Sequence, residues 1–249
     1  MKAAFPDVDA PPTILPPRIP TYVIGFDEAL GGGIPAGSIV IIAGAAGTMK
    51  SSLAISIVLN HAAKVGARAL YTTMEEGVGS LLRQAVGLGL DTTSVPHHVR
   101  ILDLAYTMPE GSGDWLPRFQ SIVEDVKKEE GCDLLVIDSL EGFAVHANLE
   151  DRRRGLFQFF EWLRSLEMTT LVTAERPDLF VQNAVVAGRW DEDFLADGVI
   201  HLRLHVTAET EVQRRIRCVK MRGAAHDPSY LALFLDGGNF VATKSIRTG

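Results

Sequence analysis

The stretch that decides the fold is the turn Gly44-Ala45-Ala46-Gly47-Thr48-Met49-Lys50-Ser51. The apolar run 38–43 (SIVIIA) stands before it, and a helical pattern from about residue 51 to 64 follows. A short, continuous apolar run is typical of a strand that is buried on both faces, as in a parallel sheet. The stretch therefore predicts a buried strand, a glycine-bearing turn and a helix in succession.

The turn has the pattern G-x-x-x-x-G-K-[ST], except that Met49 stands where the second glycine usually does. Small residues let backbone N–H groups curl around phosphate oxygens, and the helix N-terminus adds partial positive charge. In this pattern Lys50 reaches the β- and γ-phosphates and Ser51 ligates Mg²⁺. An ordinary glycine-rich turn is the alternative. The predicted nucleotide contacts are Gly44, Ala45, Ala46, Gly47, Thr48, Met49, Lys50, Ser51 and Ser52.

Met49 is a departure with a physical consequence. If its position needs φ > 0, a residue other than glycine costs about 1 kcal/mol or more there. This cost is small beside the free energy of triphosphate binding. We therefore expect retained nucleotide affinity and altered turnover.

Beyond this unit, short apolar runs alternate with helical patterns. Further strands are predicted at 67–72, 99–104, 134–137 and 169–173, and further helices at 78–88, 116–129 and 155–166. From residue 198 onward the pattern is of strands alone, at 199–206, 212–221 and 231–235. Repeated strand–helix units imply a parallel sheet. The predicted fold is α/β, with a mostly parallel central sheet flanked by helices and antiparallel C-terminal strands.

The run Leu134-Leu135-Val136-Ile137-Asp138 is four apolar residues ending in an acid, the form of a Walker B strand. A buried parallel strand delivers Asp138 to the carboxyl edge of the sheet, beside the phosphate loop. There it holds Mg²⁺, directly or through water. The sequence therefore predicts a metal site made by Ser51 and Asp138.

The pair Glu75-Glu76 follows the strand that ends near Thr72. We expect this strand beside that of the phosphate loop, where a carboxylate orients or deprotonates an attacking water. Adjacent residues in an extended segment point opposite ways, so one glutamate should dominate. The alternative is a helix N-terminus that carries acids because they complement the helix dipole.

Composition and charge bound the remaining possibilities. The chain has 249 residues, 47% of them hydrophobic, and a formal net charge of −7. The acidic balance argues against a protein that coats nucleic acid. No apolar run reaches the ~20 residues that span a bilayer, and the two cysteines fit a reducing compartment. We therefore expect a cytoplasmic protein.

Six of the twelve prolines lie in residues 1–20, which predicts an N-terminal arm before one domain, 21–249.

Several stretches together resemble a KaiC-like ATPase of the RecA superfamily, and they extend from Gly25 to Gly237. They are 25–30 (GFDEAL) with 32–37 (GGIPAG), Glu75-Glu76, 82–85 (LRQA) with 88–89 (LG), 134–139 (LLVIDS), 169–176 (TTLVTAER), 195–200 (LADGVI), and 219–223 (VKMRG) with His226. The resemblance implies a RecA-like P-loop core that binds ATP with Mg²⁺ and uses the paired glutamates in catalysis.

The motif at 219–223 also has its own physical logic. Lys220 and Arg222 share strand parity, so both side chains face the same way. Two cations on one face are costly unless an anion meets them. The resemblance implies that these residues, with His226, reach the nucleotide of an adjacent subunit in a ring, usually a hexamer, where they assist catalysis. A solvated edge strand and a nucleic-acid site are the alternatives.

Two departures from the family limit what carries over. KaiC has two such domains in tandem, and its second domain phosphorylates itself on a neighbouring Ser–Thr pair after the Walker B strand. Here neither serine nor threonine occurs between Ser139 and Ser165. We therefore expect hydrolysis and not autokinase activity.

The sequence thus predicts a ring-forming ATPase that hydrolyses ATP slowly and couples its nucleotide state to an unknown protein partner. Two alternatives stay open. One is a nucleotide-dependent switch with negligible turnover, and the other is a recombination- or helicase-related ATPase stimulated by DNA. The acidic balance counts against the second alternative.

Overall fold

The computed structural model describes residues 16–108, 115–149, 151–176, 192–208 and 211–244. Within them the strands are β1 (Arg18–Ile19), β2 (Ile34–Pro35), β3 (Ile39–Gly44), β4 (Ala69–Thr73), β5 (Val99–Asp103), β6 (Leu134–Asp138), β7 (Thr169–Glu175), β8 (Gly198–Ala208), β9 (Glu211–Met221), β10 (Leu231–Asp236) and β11 (Asn239–Thr243). The helices are α1 (Lys50–Val65), α2 (Val78–Gly87), α3 (Val95–His98), α4 (Leu104–Thr107), α5 (Trp115–Glu130), α6 (Leu140–His146), α7 (Arg152–Ser165) and α8 (Glu192–Leu195).

Nine of these strands form one sheet in the order β11-β10-β9-β8-β3-β7-β6-β4-β5. The pairs from β8 to β5 are parallel, and the pairs that join β8, β9, β10 and β11 are antiparallel. Strands β1 and β2 form a separate two-stranded sheet. The predicted α/β class, with its antiparallel C-terminal extension, is confirmed.

The sheet separates two hydrophobic cores, because successive residues of a strand point to opposite faces. Val40 and Ile42 of β3 pack with residues of α1 and α2, whereas Ile39 and Ile41 pack with residues of α5, α6 and α7. Every residue of β3 is buried. The strand that carries the phosphate loop therefore lies in the middle of the molecule and is fixed from both sides.

The position of β4 corrects one prediction. We expected the strand before Glu75-Glu76 to lie beside the phosphate-loop strand. Instead β4 pairs with β6 and β5, and both β6 and β7 separate it from β3. The glutamates therefore adjoin the end of β6, the strand that carries Asp138. The prediction was wrong because apolar runs of similar composition do not specify the order of strands in a sheet.

The proline-rich arm falls partly outside the described residues, since 1–15 are not among them. Within its last residues, Arg18 and Ile19 pair with Pro35 and Ile34. Across the part of the chain that is described, no helix combines the length and the apolar character that crossing a membrane requires.

Candidate nucleotide site

The phosphate loop begins at the carboxyl end of β3 and ends in the first turn of α1. Thr48 Oγ1 donates to Ala45 O over 2.7 Å, and Lys50 Nζ donates to the same carbonyl over 3.2 Å. Thr48 is fully buried and anchors the turn from within. The ammonium of Lys50 thus folds over the loop, where the first N–H groups of α1 favour an anion.

Met49 lies in the left-handed region, with φ 75° and ψ 35°, immediately before the first residue of α1. This position therefore does require a positive φ, the condition under which a residue other than glycine carries a cost. Its half-buried side chain packs against the core beside α1. The strain of this backbone conformation, of the order of 1 kcal/mol, is therefore offset in part by burial of a side chain that glycine would lack.

The carboxylate of Asp138 accepts three hydroxyl hydrogen bonds at the end of β6. Ser51 Oγ donates to Oδ1 over 3.1 Å, Thr173 Oγ1 donates to Oδ1 over 2.5 Å, and Tyr71 OH donates to Oδ2 over 2.5 Å. Burial, and then the charge of Asp138, raise the pKa of Tyr71 well above its ordinary value. Tyr71 is therefore protonated and acts as a donor.

Tyr71 and Thr173 were not predicted from the sequence. Each lies in a fully buried stretch of strand, Tyr71 on β4 and Thr173 on β7. The available signal was a hydroxyl-bearing residue inside an apolar run, since a buried hydroxyl is normally hydrogen-bonded. The sequence pattern does not identify the partner, because that partner lies on another strand.

The two glutamates point to different neighbours. Glu75 is exposed, and its Oε1 accepts a hydrogen bond from Ser139 Oγ, next to Asp138. Glu76 is half-buried and its Oε2 accepts from Gln84 Nε2 on α2 over 2.5 Å. The divergence of adjacent side chains leaves Glu75 beside the end of β6 and ties Glu76 to a helix.

Lys220, Arg222 and His226 do not join this cluster. Lys220 Nζ donates to Asp193 O over 2.9 Å and to Ala196 O over 2.7 Å. Arg222 donates to Asp197 Oδ1 and to Phe194 O, each over 3.0 Å. The two cations thus share one side of the strand, but they meet carbonyls and a carboxylate of the chain itself.

His226 lies just past this pair in sequence. It is half-buried, and its Nδ1 lies 3.4 Å from Ala224 O. It therefore makes a local contact and does not reach the phosphate loop.

A separation along β3 divides these residues from the phosphate loop. Asp197 N donates to Ile39 O over 2.8 Å, and Asp197 Oδ2 accepts from Ile39 N over 3.1 Å, so Asp197, which binds Arg222, lies at the first residue of β3. Lys220 pairs with Val199, which is level with Ile41. The phosphate loop begins at Gly44, the last residue of that strand. Five residues of extended chain place the two ends roughly 16 Å apart.

A cleft of about 580 Å³ opens beside the phosphate loop. Met49 and Leu88 stand on one side, and the adjoining ends of β9 and β10 form the other. Arg214 lines the cleft and its Nε donates to Gly47 O over 3.2 Å. The volume lies within the range of pockets that take small ligands. Arg214 was not predicted as a site residue, because it lies outside the motif 219–223 on which the prediction for this part of the chain rested.

Comparison with known proteins agrees with this geometry. The family model described as "ATPase: KaiC" matches residues 19–239. The circadian clock oscillator protein KaiC of Thermostichus vulcanus is 27% identical over 219 residues, which are 84% of this chain and 41% of that protein. The circadian clock protein KaiC2 of a Synechocystis strain is 27% identical over 216 residues, 84% of this chain and 37% of its own length. The chain thus spans about two fifths of the clock proteins it matches.

A solved structure matches over a larger share of its own length. It is a KaiC-like protein from the hyperthermophilic archaeon Pyrococcus horikoshii OT3, with a TM-score of 0.76 and 26% sequence identity. The match covers 91% of this chain and 98% of the archaeal chain. The family match, the sheet order and the phosphate loop lead to one conclusion: this chain belongs to the KaiC-like ATPase family of the RecA superfamily.

Proposed function

We propose that the chain is a subunit of a ring-forming ATPase, in which ATP and Mg²⁺ lie at subunit interfaces and ATP is hydrolysed slowly. The observation that carries the proposal is the meeting of three groups at one edge of the sheet. Ser51 donates to Asp138, and Ser139, the next residue, donates to Glu75. A phosphate loop, a metal-binding carboxylate and a water-orienting carboxylate are the parts that phosphoryl transfer to water requires.

The residues at this edge fit Mg²⁺. The hydroxyl of Ser51 and the carboxylate of Asp138 are hard oxygen donors, which Mg²⁺ prefers. The two groups already adjoin, at 3.1 Å, so both would be within reach of one metal ion. Held there by Ser51 and Asp138, Mg²⁺ would supply positive charge that neutralises charge developing on the phosphates.

The cleft beside Met49 fits the base and ribose of the nucleotide. It begins at the phosphate loop, and its lining includes the apolar side chains of Leu88, just after α2, and Leu233 of β10, together with polar side chains of β8 and β9. A purine ring buries its faces against such side chains, while Arg214 lies where the cleft meets the loop. With Lys50 on the phosphates, these contacts support a pose in which the γ-phosphate lies near the end of β6.

Glu75 is the better candidate for the water-orienting carboxylate. Its contact with Ser139 holds it beside Asp138, whereas Glu76 is engaged by Gln84. Glu75 is also exposed, and charges act more weakly where water is present. We therefore expect slow turnover in an isolated chain. A neighbouring subunit that covers this edge of the sheet would exclude water from Glu75 and raise the rate.

The position of the two cations Lys220 and Arg222 supports the proposal of a ring. Lys220 is level with Ile41 in the middle of β3, but its side chain, like that of Arg222, binds residues 193–197 near the amino end of β3 and not the phosphate loop. We therefore do not expect these cations to assist hydrolysis within their own chain. A second copy that presents this end to the phosphate loop of the first supplies positive charge there, with His226 nearby. Such a cation in trans contributes about 10³–10⁵ in rate in related phosphoryl-transfer systems.

The hairpin of β8 and β9 supports coupling to a protein partner. Val206 and Val212 are 66% and 60% exposed, and Arg214 on the same hairpin contacts Gly47 of the phosphate loop. Exposed apolar side chains are typical of protein-binding surfaces. Because Arg214 connects this hairpin to the phosphate loop, binding of a partner here would depend on whether nucleotide occupies the loop. The partner itself is unknown.

The test is phosphate release from Mg-ATP, measured with and without single-stranded DNA, alongside the mass in solution by light scattering. We expect slow release that DNA does not change, and a mass several times 27.0 kDa in Mg-ATP. Tight ATP binding with no release over hours would instead establish the non-hydrolysing switch. Strong stimulation by DNA would establish the recombination-type ATPase.

A further inference from the structure

The single-turn helix α8 and the residues after it hold both proposed intersubunit cations. Lys220 binds the carbonyls of Asp193 and Ala196, and Arg222 binds the carbonyl of Phe194 and the carboxylate of Asp197. The location of the two cations is therefore set by the location of this segment. A helix of one turn is not stable by itself, so its place must be fixed by contacts with the rest of the chain.

Arg176 supplies such contacts at the end of β7. Its guanidinium binds Glu192 Oε1 at 3.3 Å and Asp193 Oδ1 at 2.8 Å. Arg176 and Glu192 are 6% and 1% exposed. Glu192 also faces Arg152 of α7, at 3.7 Å. A buried pair of this kind is sensitive to the loss of either partner, because the remaining charge is left uncompensated.

Arg176 is also bound to the phosphate loop of its own chain. Its backbone N–H donates to Gly44 O over 3.0 Å, and the preceding residue, Glu175, donates its N–H to Glu141 Oε2 over 2.9 Å. One residue thus connects the start of the phosphate loop with the helix that holds Lys220. Of these partners, Gly44 belongs to the site predicted from the sequence, whereas Glu141, Glu192 and Asp193 do not.

We propose that Arg176, together with Glu192 and Asp193, positions Lys220 and Arg222 for action on the neighbouring subunit's nucleotide. The inference rests on the ring proposed above. Arg176 fixes α8 through its side chain, and α8 presents the two cations through its carbonyls. A subunit in which this ion pair is broken therefore binds its own nucleotide normally but fails to assist hydrolysis in the next subunit.

The test uses Asp193→Ala in the full-length chain. The side chain of Asp193 is 37% exposed, so its loss is compatible with folding, and the backbone carbonyl that Lys220 uses remains. A displacement of about 1 Å at a catalytic group costs up to about 10²-fold in rate. We expect turnover of the homogeneous variant to fall about 10-fold to 100-fold, with unchanged binding of a fluorescent ATP analogue. Glu192→Gln, which keeps the shape but removes the charge, should behave in the same way.

Mixing subunits identifies where the defect lies. The donor is Glu75→Gln with Glu76→Gln, which cannot hydrolyse ATP but carries intact Lys220 and Arg222. Adding this donor to Asp193→Ala subunits should restore turnover at interfaces where the donor's cations face an Asp193→Ala subunit, whose two glutamates are intact. Arg100→Ala, which removes an exposed arginine paired only at the surface with Glu130, is the matched control and should keep full turnover.

Lys220→Ala mixed with the same donor separates the two proposals. If the donor restores Lys220→Ala but not Asp193→Ala, the ring proposal stands and the positioning role of the Arg176 pair is wrong. If the donor restores neither, the cations do not act in trans, and both proposals fail. Full turnover of homogeneous Asp193→Ala would also overturn the positioning role.

Discussion

The hydroxyl of Ser51 donates to Asp138 Oδ1 over 3.1 Å, although the two residues are 87 positions apart in the chain. The first turn of α1 and the end of β6 therefore meet at one point of the sheet edge. Each residue alone is an ordinary feature of an α/β protein. Their contact brings together the two side chains that we propose bind Mg²⁺ with the nucleotide.

The hydroxyl of Tyr71 should contribute more to the free energy of unfolding than the hydroxyl of Thr72. Tyr71→Phe removes a donor to the charged carboxylate of Asp138, and such a bond contributes about 1.5–3 kcal/mol. Thr72→Val is the matched control, since Thr72 Oγ1 donates over 2.8 Å to the neutral carbonyl of Val136 and its loss should cost about 1 kcal/mol. Urea denaturation measures both. Equal costs would mean that Tyr71 does not support an ionised Asp138.

Because the backbone of Met49 is left-handed, glycine should be more stabilising than alanine at this position, the reverse of their usual order in a helix. Both Met49→Ala and Met49→Gly lose the side chain, but alanine retains the strain at φ 75° and glycine does not. We expect the glycine variant to have the larger free energy of unfolding, by about 1 kcal/mol. At the exposed position Ala63, inside α1, glycine should instead cost about 1 kcal/mol. The same sign at both positions would contradict the conformation of Met49.

Arg214 should contribute to nucleotide affinity from within its own chain. Its guanidinium lines the cleft and contacts Gly47 O, so Arg214→Ala should weaken binding of a fluorescent ATP analogue about tenfold, equivalent to about 1.4 kcal/mol. Arg215 points to the other face of β9, and Arg215→Ala should leave affinity unchanged. An equal loss of affinity in both variants would indicate a general effect of positive charge. The adenine base of the nucleotide would then not lie in this cleft.

The docking of the N-terminal segment on α1 predicts a pH dependence. Tyr22 OH lies 3.0 Å from His61 Nδ1, and burial lowers the pKa of His61 from 6.5, partly opposed by the charge of Asp133. The folded state therefore favours the neutral ring. This contribution to stability is fully present above pH 6.5 and is lost as the pH falls through the folded-state pKa.

Urea midpoints measured from about pH 7.5 to about pH 5.5 test this contribution. The midpoint of the unmodified chain should fall further over that range than that of His61→Asn. Parallel curves for the two proteins would show that His61 does not titrate differently on unfolding.

Local elements were predictable because their signals are local. The helix α7 follows from apolar residues at spacings of three and four, and β3 with α1 follows from an apolar run and the turn after it. In contrast, α6 was missed because Gly142 interrupts a short pattern, although Ser139 caps it by accepting from Gly142 N. The strand β11 was missed because a glycine pair, Gly237-Gly238, precedes a stretch of only five residues.

The site was predictable to the extent that its residues belong to contiguous motifs. Ser51, Asp138 and Glu75 stand in such motifs, and their prediction as site residues remains to be tested by experiment. Contacts across strands were not accessible in the same way. The partners of Asp138 and the ion pair between Arg176 and Glu192 depend on strand order and on α8, which the periodicity of the sequence does not contain.

The most direct test of the account compares Glu75→Gln with Glu76→Gln. Phosphate release from Mg-ATP and binding of the ATP analogue are measured on the same samples, with the unmodified chain beside them. General-base catalysis contributes about 10²–10⁴ in rate, so we predict that Glu75→Gln loses at least about 10²-fold in release while binding is kept. Glu76→Gln should lose less than about tenfold. Undiminished release by Glu75→Gln, or no release by the unmodified chain despite tight binding, would contradict the account.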